Sequence, residues 1–283
     1  MAHARLRRSS AITQYTVAAA LEALGGDAAK LGSGSLQVGI VLCVMTGSVN
    51  YSRRFYDEVL KDPATASPLV FPETVFNAPA SHLAALLGTT AINYTLVGDP
   101  GTVLQGLGLA AGWLLAGRVD GCLIIGAEEG DWLTADASRL FSRKIILSDG
   151  AGAVYIRCDA SNAPGVQLHS ITSSQPFSNH STRARAARRA RAGLPQGNAD
   201  HLLCDSTQDI PTVDAPELAA WNDWPAARLS PKTVLGEGLA AGSAWQCVAA
   251  IDALRQGRFA AANVSVAGCN EQCIGAHFIT TQP

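Results

Sequence analysis

The chain has 283 residues, 48% of them hydrophobic and 16% charged, with a formal net charge of -2. That is one large domain or two small ones with a sizeable core, which excludes intrinsic disorder. The balanced charge carries no polybasic signature of a nucleic-acid binder, and the longest nearly apolar run, residues 107–116, is too short to span a bilayer.

The N-terminal residues carry Arg5, Arg7 and Arg8, as a transit peptide would, but Gln14, Tyr15 and Glu22 break any secretory core. Ser9 or Ser10 as N-cap and Gly25-Gly26 as terminator instead predict a first amphipathic helix. Next come a buried strand at 38–44, a short helix at 81–87 and a strand at 93–97. The turn 98–101 follows, with Asp99 read as an N-cap and Pro100 as the first helical position. The helix at 102–116 is apolar nearly all round and so is expected inside the fold. Strands are predicted at 121–127 and 151–157.

The second half echoes this order. Strands are expected at 166–171, 201–205, 263–267 and 274–279, and helices at 184–192, 217–222 and 238–254. The polar, Arg-rich stretch 172–194 is read as the junction and the most mobile part. Alternating strands and helices give an α/β class with an internal pseudo-repeat. The boundary is placed between residues 1–158 and 159–283, the two halves forming one compact unit. Seven scattered cysteines, an odd count without framework spacing, fit a reducing, cytoplasmic setting.

Four segments taken together resemble the β-ketoacyl synthase family of the thiolase fold. They are residues 70–82; residues 93–101 with the buried helix and the run 117–129 (GRVDGCLIIGAEE); Lys232–Glu237 with Ala240-Ala241-Gly242; and Gly268-Cys269-Asn270. The resemblance implies a thiolase-like fold of two pseudo-repeated α/β halves in an α-β-α-β-α stack. This chain lacks the family's opening strand and glycine turn, so it is N-terminally shortened, and its insertion between Glu129 and Ala151 is also cut short.

The family's chemistry needs a thiolate nucleophile at a helix N-terminus and two histidines that drive decarboxylation and stabilise an enolate. Carried over residue by residue, the Cys position falls on Pro100 and the two His positions on Ser206 and Glu237. All three catalytic positions are thus substituted. The resemblance therefore implies a non-catalytic chain length factor, the heterodimeric partner of an active ketosynthase in type II polyketide synthesis. It is closest to partners from polyene-type, highly reducing systems. Such a subunit needs no cofactor and no metal. It would pair through the strand carrying Tyr94 and Leu96, with Ile92 on the same face. Val70, Phe71, Thr74 and Phe76 would floor the acyl tunnel; the alternative is ordinary core aromatics.

The helix with Arg183, Arg185, Arg188, Arg189 and Arg191 is either a solvated face or a dock for an acidic acyl carrier protein, with Arg185, Arg188 and Arg189 the contacts. That carrier would be reached mainly through the ketosynthase, with no nucleic acid or membrane partner. Cys269, Cys273 and His277 lack a fourth ligand and scatter over a strand's two faces, which argues against zinc. Two rival readings stand beside the leading one. One is a thiolase-fold acyltransferase with a relocated nucleophile such as Cys204; the other is the partner subunit of a different condensing enzyme.

Overall fold

The computed structural model describes residues 4–31, 34–158 and 165–281. Its first half runs α1 (Ala11–Leu24), α2 (Ala28–Leu31), β1 (Val38–Val44), α3 (Val49–Lys61), α4 (Ala78–Leu87), β2 (Asn93–Val97), α5 (Thr102–Leu115), β3 (Gly121–Glu128), α6 (Trp132–Arg139) and β4 (Gly150–Arg157). The second runs β5 (Gly165–Ile171), β6 (Gln175–Pro176), α7 (His180–Ala192), β7 (His201–Cys204), α8 (Pro211–Ala220), β8 (Ala227–Leu229), α9 (Lys232–Leu235), α10 (Ala240–Arg255), β9 (Ala261–Ala267) and β10 (Gln272–Thr281).

Two sheets repeat one topology. Among the described residues the first has the order β2-β1-β3-β4, and the second β8-β7-β9-β10-β5, with β6 on β10. In each, the first three strands are parallel and the next is antiparallel. Both faces of each sheet are covered, so β1, β3 and β9 are buried at every position and show no alternation.

The layers follow from three apolar clusters. One cluster joins α1 and α4 to the outer face of the first sheet. A central cluster holds α5 and α10 between the two sheets. A third joins α7 and α8 to the outer face of the second sheet. The result is the expected α-β-α-β-α stack. Val103, Leu104 and Leu107 of α5 are all essentially fully buried, each contributing roughly 1.5–3 kcal/mol. The central helices approach the sheet closely because Gly126 has no side chain; a Cβ there would overlap the Ala240 carbonyl.

Some sequence expectations are corrected. The stretch 172–194 is not a junction between halves but holds β6 and α7 within the second half. Helix α7 begins at His180 because Asn179 caps it in a box, its side chain accepting from the Thr182 N–H at 3.0 Å. Helix α8 begins at Pro211, six residues earlier than expected, with Pro at its first position. Helix α3 was not expected at all. No helix among the described residues is long and apolar enough to cross a membrane.

Candidate functional site

A cavity of about 320 Å³ lies where the turns after β7 and α9 meet the loop between β9 and β10. Met45, Leu140, Phe141, Ile145, Val213 and Leu239 give it apolar walls. Ser206, Gln208, Lys232, Glu237 and Cys269 supply polar atoms, and His180 and Arg183 also line it. Two of the three positions singled out in the sequence, Ser206 and Glu237, therefore share one chamber.

Glu237 is held by its own short loop. Its carboxylate takes the Lys232 ammonium at 2.7 Å, the Leu239 N–H at 2.8 Å and, more weakly, the Gln208 amide at 3.4 Å. Both Lys232 and Glu237 are buried, and Leu239 takes a positive φ of 49° to present its N–H. Both carboxylate oxygens are thus already engaged as acceptors by donors of the chain itself.

Ser206 is equally committed. Its hydroxyl donates to Glu217 at 2.5 Å and accepts from the Ala267 N–H at 3.1 Å, while its own N–H reaches Glu217 at 3.2 Å. Glu217 is buried and also accepts from the Ser265 hydroxyl at 2.6 Å. Desolvation, then the nearby Asp205 charge, raises its pKa from 4.5 to about 7. Asp205 is bound by the Arg228 guanidinium at 2.6 and 2.9 Å and by the Ser230 hydroxyl at 2.5 Å.

Pro100 is buried just before α5 and is not itself on the cavity wall. The Asp99 side chain was expected to cap α5, and it does not. It accepts instead from the N–H groups of Cys269, Glu271 and Gln272 at 3.0, 3.0 and 2.9 Å, clamping the loop that brings Cys269 into the cavity. Gly268 leaves room for that carboxylate, since a Cβ there would overlap it. The Cys269 thiol is pushed well above its ordinary value by burial, then by Asp99. It is therefore no thiolate near neutral pH. Cys204 lies at the end of β7 and is fully buried, its thiol raised by burial and by Cys247 and Asp205. A buried, protonated thiol is a poor nucleophile, which weighs against the relocated-nucleophile reading.

The expected tunnel and interface residues lie elsewhere. Val70 is buried, whereas Phe71 and Phe76 are 54% and 45% exposed. Phe71 leans on Phe55 at 5.3 Å, and the Thr74 hydroxyl bonds the Phe71 carbonyl at 2.8 Å. Strand β2 is an edge strand, paired among the described strands only with β1. Leu96 and Ile92 pack on the central cluster. Tyr94 meets the α5 residue Trp113 edge-on at 5.2 Å while remaining 51% exposed. Leu60, Leu69, Val75 and Val97 are also exposed.

Of the arginines on α7, Arg185, Arg188 and Arg189 are exposed. Arg183 turns inward to the carbonyls of Val213, Ala267 and Gly268. Arg191 bonds the Ala220 carbonyl and Asp223. His277 bonds Asn263 at 2.8 Å, and no cluster of metal-ligating side chains exists among the described residues. Sequence reasoning missed the Glu73–His82 pair at 2.6 Å, the Asp205–Arg228 pair and the buried Glu217. None of these has a local spacing signal.

No family model and no curated protein matches the chain. Solved structures do. The ishigamide ketosynthase/chain length factor matches with a TM-score of 0.80 and 20% identity, over 99% of this chain and 83% of that one. AntDE:AntF, a type II polyketide synthase acyl-carrier protein in complex with its ketosynthase bound to the hexaketide, matches with a TM-score of 0.80 and 15% identity, over 98% and 84%. A β-ketoacyl synthase from Burkholderia phymatum matches with a TM-score of 0.75 and 15% identity, over 99% and 85%. At these identities the likeness is one of fold: the chain is built as ketosynthase and chain length factor structures are.

Proposed function

We propose that this protein is a chain length factor: a subunit without condensing chemistry of its own that pairs with an active ketosynthase and shapes the tunnel for a growing polyketide. The reading rests on what stands at the three positions that the resemblance marks as catalytic. Pro100 has no nucleophile, Ser206 is bonded to Glu217 and Ala267, and Glu237 is paired with Lys232. The scaffold supports it from the other side, because the fold is that of ketosynthase/chain length factor structures.

In this reading residues 1–158 and 159–283 act as one unit. Strand β2, with Tyr94 and Leu96, joins the ketosynthase across a pseudo-two-fold axis and removes an open sheet edge. Val70, Phe71, Thr74 and Phe76 reach toward the partner's tunnel and limit chain length. The carrier protein delivers its acyl group mainly to the ketosynthase, with Arg185, Arg188 and Arg189 as an accessory contact. The polyene-type, highly reducing product class belongs to the same proposal.

The test is assembly. Co-expressed with a ketosynthase that keeps Cys-His-His and is encoded beside it, the chain should co-purify one to one and be required for condensation. A ketosynthase fully active without it, or failure of the two to associate, contradicts the proposal.

A further inference from the structure

The chamber that holds Ser206 and Glu237 is graded from rim to floor. At its rim Ala137, Leu140 and Phe141 are exposed, Leu140 by 87% and Phe141 by 60%. At its floor Ser206, Lys232, Glu237 and Leu239 are buried. Charged groups thus lie inside while apolar side chains face water, the reverse of the ordinary distribution. The volume of about 320 Å³ falls within the range of about 300–1,000 Å³ usual for small-molecule pockets.

The polar atoms of the chamber are unequally used. An ammonium carries three N–H donors and a guanidinium five. Among the described residues Lys232 gives one, to Glu237. Arg183 gives three, all to main-chain carbonyls, those of Val213, Ala267 and Gly268. Both cations therefore keep donors to spare. The acceptors are taken: Glu237 by Lys232, Leu239 and Gln208, and Ser206 by the Ala267 N–H. Charge is uneven in the same direction. Lys232 and Glu237 cancel, whereas no carboxylate among the described residues is bonded to Arg183. Asp214 and Glu217 feel its charge, but their own hydrogen bonds come from Gln208, Ile210, Ser206 and Ser265. The chamber thus offers donors and a surplus of positive charge.

We propose that the chamber binds a medium-chain carboxylate, noncovalently and head-first. The carboxylate accepts from the unused N–H groups of Lys232 at the floor, and the Arg183 charge in the same chamber keeps it ionised. The alkyl tail runs along Met45, Ile145 and Val213 and ends between Leu140 and Phe141, which it covers from water. A cationic ligand would meet the same positive surplus, and a plain hydrocarbon would shut in the Lys232 donors without an acceptor. Every residue used lies in this chain, so the proposal does not depend on pairing with a ketosynthase, and either can fail while the other stands.

The test is calorimetric titration of the full chain with octanoate, methyl octanoate, octylammonium and acetate. Octanoate should bind once per chain and at least about tenfold more tightly than its ester, with no binding of octylammonium or acetate. With an isotope label at the carboxyl carbon, nuclear magnetic resonance should show the bound acid staying ionised about one pH unit or more below the free acid, as a head beside the Lys232 ammonium must. Ala137→Trp, at an exposed rim position, should weaken octanoate about tenfold or more with the circular dichroism unchanged. Lys232→Met combined with Glu237→Gln removes the donors without leaving a lone buried charge, and should erase the preference for acid over ester. Equal affinity for acid and ester, or no saturable binding of octanoate, overturns the proposal. So does octanoate binding that neither set of substitutions weakens. Where a variant fails to fold, the comparison of acid with ester on the unaltered chain decides.

Discussion

At the scale of single residues, polar side chains at and beside the cavity are turned onto partners within the chain. Glu237 is paired with Lys232, Ser206 donates to Glu217, and Asp99 accepts from three backbone N–H groups. Positions 100, 206 and 237 were singled out by the family resemblance, carried over residue by residue. The roles of Asp99 and Glu217 could not be read that way, because their partners lie far along the chain, as with Asp99 and Gln272. Asp99-Pro100 even misleads, since the pair looks like a helix start while the carboxylate serves the β9–β10 loop. Glu217 carries a pH prediction. Folding raises its pKa, so its protonated form is favoured in the folded state and stability is lost as pH climbs from about 4.5 toward about 7. The loss is on the order of 3 kcal/mol. Glu217→Gln should remove this component, making the variant gain on the parent between pH 5 and pH 8 in urea denaturation. An equal stability difference at both pH values would show that Glu217 is not held protonated by the fold.

At the scale of elements, what is buried was legible and what is exposed was not. Continuous apolar runs marked β1, β3 and α5, because a segment covered on both faces has no polar side to show. Helix α3 escaped notice since it buries no residue. Its signal was in the charges, Arg53–Asp57 and Arg54–Glu58, spaced four apart and 3.9 and 3.5 Å apart in space. The exposed elements are also where partner contacts are proposed. Tyr94→Arg on β2 should weaken co-purification with the ketosynthase tenfold or more, a change of about 1.4 kcal/mol, and leave the isolated chain folded; undiminished assembly would remove β2 from the interface. Phe71→Ala or Phe76→Ala, assayed with the partner, should lengthen the polyketide. Each added carbon pair gains only about 1.6 kcal/mol by burial, so a ring in the path decides where growth stops. An unchanged product distribution in both variants would make these rings ordinary surface aromatics.

At the scale of the whole molecule, two α/β halves enclose a central pair of helices, and among the described strands β2 and β4 stand at the edges of the first sheet. The stack was legible from element order together with family-like motifs. On the proposed function, the scaffold acts by lending surface to a ketosynthase. The most direct measurement is acyl transfer from a labelled acyl carrier protein, read by mass spectrometry on each subunit. The expected result is label on the ketosynthase cysteine in the complex and none on this chain, alone or paired. A covalent acyl group on the isolated chain, followed by carbon–carbon bond formation, would contradict the account.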